Sequence, residues 1–240
     1  MSKIIHHWSS GKDSALSLYY LQKKYTIKRL ITTLNLKTYR VSMHGIPKEL
    51  LMAQQKSIGI AIQNVYLDSD ASLETYNKQM QYVYQDLFEE GFNTVSFGDI
   101  LLEDLKLYRE AQLDKIGMSC SFPLWGKNTL EVMKEFIHLG FKAVVVAVQA
   151  DKLSKEWVGR VIDDSFLEDL PAGVDASGEN GEYHTFVFDG PNFSFPIKYQ
   201  IEKVVTHNYF ANSDVDDNCF KDIEEQSWAT NFHFADIQVR

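Results

Sequence analysis

An α/β fold, with a mostly parallel sheet flanked by helices and a smaller α+β domain after it, is predicted by three observations on this 240-residue chain. Apolar runs rich in β-branched residues alternate with helical periodicity through the first half, the spacing that βαβ crossovers require. The first run, with Ile4, Ile5 and Trp8, passes straight into Ser9-Ser10-Gly11-Lys12-Asp13-Ser14 and then into the helical pattern of Leu16, Leu18, Tyr19 and Leu21. After Phe122-Pro123 the alternation gives way to one helix, one strongly β-branched strand and short strands with Gly and Pro between them.

In chain order, a second strand is expected over 27–34, and apolar positions after Pro47 predict a helix ending near Gly59. A strand over 60–67 follows, then a long helix over 73–90 closed by Gly91, then a strand at 94–97. A helix over 101–116 places Leu101, Leu105 and Tyr108 on one side and Glu103, Lys106 and Glu110 opposite. Asp104 and Arg109 fall at the borders of that apolar stripe, where a side chain either aims into a cleft or ends in a border salt bridge. Beyond Trp125 come a helix over 129–139, a strand over 142–148, and short strands around Phe186, at 201–205 and at 234–239. The expected domains are therefore 1–124 and 125–240, and the acidic stretch 214–217 reads as a solvated loop.

The loop 9–14 has the make-up of a phosphate cradle. The first turn of a helix leaves backbone N–H groups unpaired and carries roughly half a positive charge, so a polyphosphate across that end meets ready donors. Gly11 permits close backbone approach, Lys12 adds a mobile cation, and Ser10 and Ser14 offer hydroxyls. A bare carboxylate repels phosphate, so Asp13 either caps the helix or helps to hold a divalent cation against the phosphates. The pattern is not a Walker A loop, which needs Gly where His6 stands and Ser or Thr directly after the Lys.

Composition narrows the function. No apolar run reaches the length of a membrane span and the N-terminus lacks the pattern of a secretory signal, so a cytoplasmic location is expected. Cys120 and Cys219 lie far apart and form no C-x-x-C pair, which fits a reduced compartment and argues against a zinc site made by this chain alone. A net charge of −9 and a pI near 5.3 argue against a broad grip on nucleic acid.

Three further segments carry polar chemistry. Gly98-Asp99-Ile100 leads into Glu103-Asp104-Leu105 and Tyr108-Arg109-Glu110; acids at a helix start also serve as partners of the helix dipole. Phe122-Pro123-Leu124-Trp125 followed by Thr129 reads as a hinge and an N-cap. Gly178-Glu179-Asn180-Gly181-Glu182-Tyr183-His184-Thr185 combines flexible backbone, two carboxylates and a titratable imidazole, a substrate or metal loop in composition and otherwise a Gly-rich surface turn.

Taken with the loop 9–14, these segments resemble the diphthine ammonia ligases and their bacterial relatives, the N-type ATP pyrophosphatases of the PP-loop superfamily. The pyrophosphatase loop, the G-D-I-x-L-E-D-L-x-x-Y-R-E segment, P-L-W and G-E-x-G-E-[YF]-H-T recur in order, and the likeness runs from Lys3 to about Pro191. Two departures stand out. Ser10 replaces a Gly common in the loop, and Arg40-Val41-Ser42-Met43-His44-Gly45-Ile46-Pro47 stands where the ligases have an E-S-Y-M-F-H-T-P type segment, a place where a substrate pocket is tuned.

The resemblance implies a Rossmann-like adenine nucleotide alpha hydrolase (HUP) domain and cleavage of ATP between the α and β phosphates. A carboxylate, such as diphthine, the modified histidine of elongation factor 2, attacks the α-phosphate, and ammonia then displaces AMP to leave an amide. Lys12, Ser14 and Mg²⁺ beside Asp13 would stabilise the leaving pyrophosphate, with Ser9, Ser10, Gly11 and Gly98 shaping the nucleotide site. Asp99, Glu103, Asp104, Glu179, Glu182 and His184 are the candidates for the acceptor and ammonia side, a carboxylate binding ammonium and His184 taking its proton. The rival readings are another adenylating enzyme on the same fold, acting on an RNA base or a small carboxylate, and an ATP-binding sensor that does not turn over.

Overall fold

The structure is a computed structural model that describes residues 3–68, 72–209 and 230–240. Five parallel strands make the first sheet: β1 (Lys3–His7), β2 (Arg29–Asn35), β3 (Ala61–Leu67), β4 (Phe92–Ser96) and β5 (Ser119–Ser121), in the order β3-β2-β1-β4-β5. Helices α1 (Lys12–Gln22), α2 (Lys48–Ile58), α3 (Leu73–Glu89) and α4 (Glu103–Asp114) connect them. The chain winds outward from β1 to β3, then returns beside β1 as β4, so the order reverses between β1 and β4. Crevices form outside the carboxyl ends of strands at such a point.

Alternation along the strands assigns the two faces. Ile4 and Leu30 join an apolar cluster with Leu18 of α1 and Leu50 of α2, whereas Ile5 and Ile31 join a second cluster with Tyr84 of α3 and Leu113 of α4. Both faces are covered, as a parallel sheet requires.

The second sheet is antiparallel, ordered β7-β6-β9-β8, from β6 (Lys142–Gln149), β7 (Tyr183–Asp189), β8 (Tyr199–Tyr209) and β9 (Thr230–Val239), with α5 (Thr129–His138) and α6 (Asp164–Asp169) against it. The first apolar cluster continues into it through Val132, Val144 and Phe186. Among the described residues no helix is long and apolar enough to cross a membrane. The acidic stretch 214–217 and Cys219 lie outside the described residues.

Several boundaries differ from the sequence reading, each for a local reason. Helix α4 begins at Glu103 and not at 101, because the amides of Ile100 and Leu101 are already bound by the Glu179 carboxylate. Leu101 is accordingly exposed ahead of the helix, and only Leu105 of the predicted apolar face is buried. The opposite face behaves as expected, with Lys106 Nζ 3.6 Å from Glu103 and 3.8 Å from Glu110. The cap of α5 is Asn128, whose side chain accepts from the Glu131 amide, while Thr129 Oγ1 donates to Asp175 Oδ2 at 2.7 Å. The short β5 was not foreseen, since Ser-Cys-Ser carries no apolar signal, and neither was α6, although the Asp163 side chain caps it by accepting from the Phe166 amide.

Candidate active site

The loop 9–14 lies at the carboxyl end of β1, at the point where the strand order reverses. Helix α1 is capped by Gly11 with no side-chain cap, so Asp13 does not cap it; it sits in the first turn and pairs with its neighbour. Lys12 Nζ lies 2.6 Å from Asp13 Oδ2 and 2.9 Å from Oδ1, with the Tyr183 ring 5.4 Å away. Lys12 is 4% exposed. Burial pushes the Asp13 carboxyl upward against the pull of Lys12, and the Asp99 charge adds to the rise.

Hydroxyls knit the turn together. Ser14 Oγ donates to the Gly11 carbonyl at 2.9 Å and receives Ser9 Oγ–H at 3.2 Å, while the Gly11 amide donates to Ser9 Oγ. Ser10 takes φ +71°, a left-handed conformation that suits Gly, and its buried Oγ finds no partner among the described residues. Gly98 is where the loop after β4 meets α1: a Cβ there would stand 3.0 Å from the Asp13 carbonyl carbon and 3.1 Å from the Ser14 nitrogen. Any other residue would push the two loops apart.

Strand β7 lies against the same turn. The Lys12 amide donates to Thr185 Oγ1 at 3.1 Å, and the Val187 amide donates to the Ser10 carbonyl at 2.9 Å. Gln54, which the sequence reading missed, ties these pieces together inside the core. Its Nε2 donates to the carbonyls of Val187 and Ser10, and its Oε1 accepts from Trp8 Nε1. A polar residue on the buried side of an amphipathic helix was the signal that could have found it.

The acidic candidates divide three ways. Asp99 and Glu179 face the loop. Asp99 pairs with Arg109 Nε at 2.8 Å, the border salt bridge of the sequence reading, and the Arg109 guanidinium lies over Phe97 at 4.1 Å. The Glu179 carboxyl is pushed up to about 7, first by burial and next by the Asp13 charge. Glu103 and Asp104, in contrast, stay exposed on the first turn of α4, where helix-dipole attraction suffices to explain them.

Glu182 is committed to its own loop. It is 2% exposed, and its oxygens accept from the amides of Asp175 and Asn180 and from Asn180 Nδ2, at 2.9 to 3.0 Å. His184 is half-buried and stands against His44, with ring centroids 4.8 Å apart. Burial, then His44 and Lys12, hold the His184 imidazole well below its ordinary value. His44 comes from the divergent segment 40–47 and had not been singled out as a site residue. His6, buried beneath the loop with Nε2 2.9 Å from the Ser14 carbonyl, is likewise pushed down by burial, to about 4.

Among the described residues no three His, Cys, Asp or Glu side chains group closely enough to hold a metal ion by themselves. Asp13 is the carboxylate that the loop itself supplies.

A doubly wound parallel sheet with a Gly-Lys-Asp turn at its reversal point, closed by a strand from a second sheet, makes this a doubly wound α/β protein. The chain belongs to the diphthamide synthase family: models of the diphthamide synthase N-terminal and C-terminal domains match residues 2–120 and 128–227. It is 29% identical to a diphthine–ammonia ligase from Bos taurus over 125 residues, covering 50% of this chain and 47% of the relative. The diphthine–ammonia ligase of Homo sapiens is 27% identical over 148 residues, 56% of this chain and 55% of the relative. The chain thus spans about half the length of these relatives. A crystal structure titled as a predicted subunit of tRNA methyltransferase, from Methanocaldococcus jannaschii, aligns over 80% of this chain and 98% of that one, with 17% identity and a TM-score of 0.42.

Proposed function

We propose that this chain is an AMP-forming, ATP-dependent carboxylate–ammonia ligase, with 1–124 as its nucleotide-binding domain and 125–240 as its substrate domain. The observation that carries the reading is the convergence of Lys12, Asp13 and Glu179 on the turn where the parallel sheet reverses. The names of the relatives, diphthine–ammonia ligases, point to diphthine or a related carboxylate as acceptor and to ammonia as the nitrogen donor.

In this reading the β and γ phosphates lie across the start of α1. Lys12 then exchanges its Asp13 partner for phosphate oxygens, and the Asp13 carboxylate turns to the cation. Mg²⁺, when bound there, neutralises charge on the departing pyrophosphate. The acceptor carboxylate oxygen bonds to the α-phosphorus as the bond to the pyrophosphate oxygen breaks. Ammonia then bonds to the acyl carbon, and AMP leaves. Asp99 and Glu179 face the region where acceptor and ammonia meet, while the buried carboxylate of Glu182 holds the loop that carries Glu179 and leads into His184 of β7.

The test is product analysis. Incubation with ATP, Mg²⁺, ammonium and elongation factor 2 carrying diphthine, or small carboxylates in its place, should release AMP and pyrophosphate in step with amide formation. ADP and phosphate as the stoichiometric products would overturn the reading, and tight ATP binding with no turnover on any acceptor would favour the sensor.

A further inference from the structure

We infer that His44, on the loop after β2, is a catalytic residue of the amide-forming step: its Nε2 accepts the proton that ammonia loses as the carbon–nitrogen bond forms. The inference rests on the ligase reading above and shifts the proton role from His184 to its neighbour.

The tautomer is fixed by a single contact. His44 Nδ1 lies 3.1 Å from the Thr185 carbonyl oxygen, an atom that only accepts, so Nδ1 carries the hydrogen. In a neutral ring Nε2 then bears the lone pair and takes no part in the Thr185 contact. The imidazole is placed on the phosphate turn itself. A Cβ on Gly11 would stand 2.6 Å from His44 Cε1, so the ring packs against the one residue of the turn that leaves it room. On its other side stands the His184 ring.

The backbone around His44 is built to present it. Met43 and Gly45 on either side both have positive φ, +63° and +66°, and Met43 is an exposed non-glycine residue with no packing to repay that conformation. A positive φ at the non-glycine, mostly exposed Met43 persists because the surrounding backbone enforces it. Here the Val41 amide donates to the Ile46 carbonyl and the Gly45 amide to the Val41 carbonyl. Arg40 Nη1 donates to the Gly45 carbonyl while its Nη2 pairs with Asp236 of β9.

Electrostatics gives the base a condition. The charged and titratable groups facing His44 are Lys12 of α1, His184 of β7 and, on its own loop, Arg40. Burial first, and Lys12 next among the lowering causes, hold the imidazole down to about 4. A polyphosphate or adenylate on Lys12 offsets that lesser cause while burial remains, so the ring is more basic with the nucleotide in place than without it. The step balances. The ammonia lone pair bonds to the acyl carbon, one N–H proton passes to Nε2, and the acyl carbon–oxygen bond breaks with its electron pair leaving on AMP.

The test compares His44→Asn with wild type, since Asn keeps a donor for the Thr185 carbonyl and has no basic lone pair. Amide formation from ammonium should fall at least tenfold while affinity for α,β-methylene-ATP stays within twofold. With hydroxylamine as the nucleophile, which is neutral at neutral pH and carries its own proton-accepting oxygen, the variant should run within threefold of wild type. Equal loss with both nucleophiles makes His44 structural and overturns the inference while the ligase reading stands. A wild type inert toward every carboxylate removes the ligase reading and this inference with it. Nitrogen NMR of the imidazoles gives an answer free of turnover: a hydrogen on Nε2 of neutral His44, with Nδ1 bare, overturns the inference by itself.

Discussion

Glu179 Oε2 accepts the backbone N–H of both Ile100 and Leu101, at 3.3 and 3.2 Å, so a loop of the second sheet is fastened to the loop that follows β4. The same carboxylate feels the Asp13 charge and is pushed up to about 7, which gives it a measurable signature. A carboxyl raised in the folded state binds its proton more tightly there than in the unfolded chain. Its stabilisation is therefore complete below its ordinary value near 4.5 and is lost as pH rises through about 7. Glu179→Gln does not titrate. Thermal melts should show the variant gaining on wild type across that window and holding a constant lead above it; a pH-independent difference would remove the raised carboxyl.

Ser10→Gly should stabilise the protein. Ser10 holds φ +71° and buries a hydroxyl with no partner among the described residues, and a residue with a Cβ in that conformation costs about 1 kcal/mol relative to Gly. A higher Tm, with nucleotide affinity equal or better, is the expected outcome. A lower Tm would mean that the hydroxyl has a partner that matters.

Lys12→Ala has two separable effects. It should cut kcat/KM for ATP-dependent turnover at least about tenfold, or about 1.4 kcal/mol. It also leaves the Asp13 carboxylate without its 2.6 Å partner, a loss of about 1–3 kcal/mol in stability. Adding Asp13→Asn should restore much of the stability and none of the turnover. Recovery of turnover in the double variant would take Lys12 out of the mechanism.

Glu182 is expected to behave unlike Glu179. Its two oxygens serve three donors in a site 2% exposed, so Glu182→Gln aims an N–H₂ group at backbone amides and should cost about 1–3 kcal/mol. Denaturant unfolding reads the loss, and the folded fraction should keep normal turnover per molecule. Normal stability with failed chemistry would return Glu182 to the reacting groups.

The parallel sheet was legible because its signals are local: Ile4-Ile5 and Leu30-Ile31 face opposite sides, and β1, β3 and β4 each meet a helix within a few residues. The turn 9–14 between β1 and α1 was legible for the same reason. What escaped depends on contacts far apart in sequence. Glu179 and Glu182 look alike in Gly-Glu-Asn-Gly-Glu, yet one reaches amides about eighty positions away and the other folds back on its own loop. His44 could not be weighed without knowing that Thr185 would fix its tautomer. Gln54 carries no motif at all, and its value lies in the three chain segments it joins.

The contact between the Lys12 amide and Thr185 spans 173 positions, and the Val187 amide closes on Ser10 over a similar reach. During synthesis, therefore, the turn waits for a strand that is made 173 positions later. Until that strand arrives, the first amide of α1 lacks its native acceptor and the turn has no outer wall. Long-range closures of this kind come late because a large loop must be ordered before they form. A nascent chain of this protein should thus complete the proposed nucleotide site only once β7 is made, and synthesis interrupted before β7 should yield the parallel sheet without a finished site.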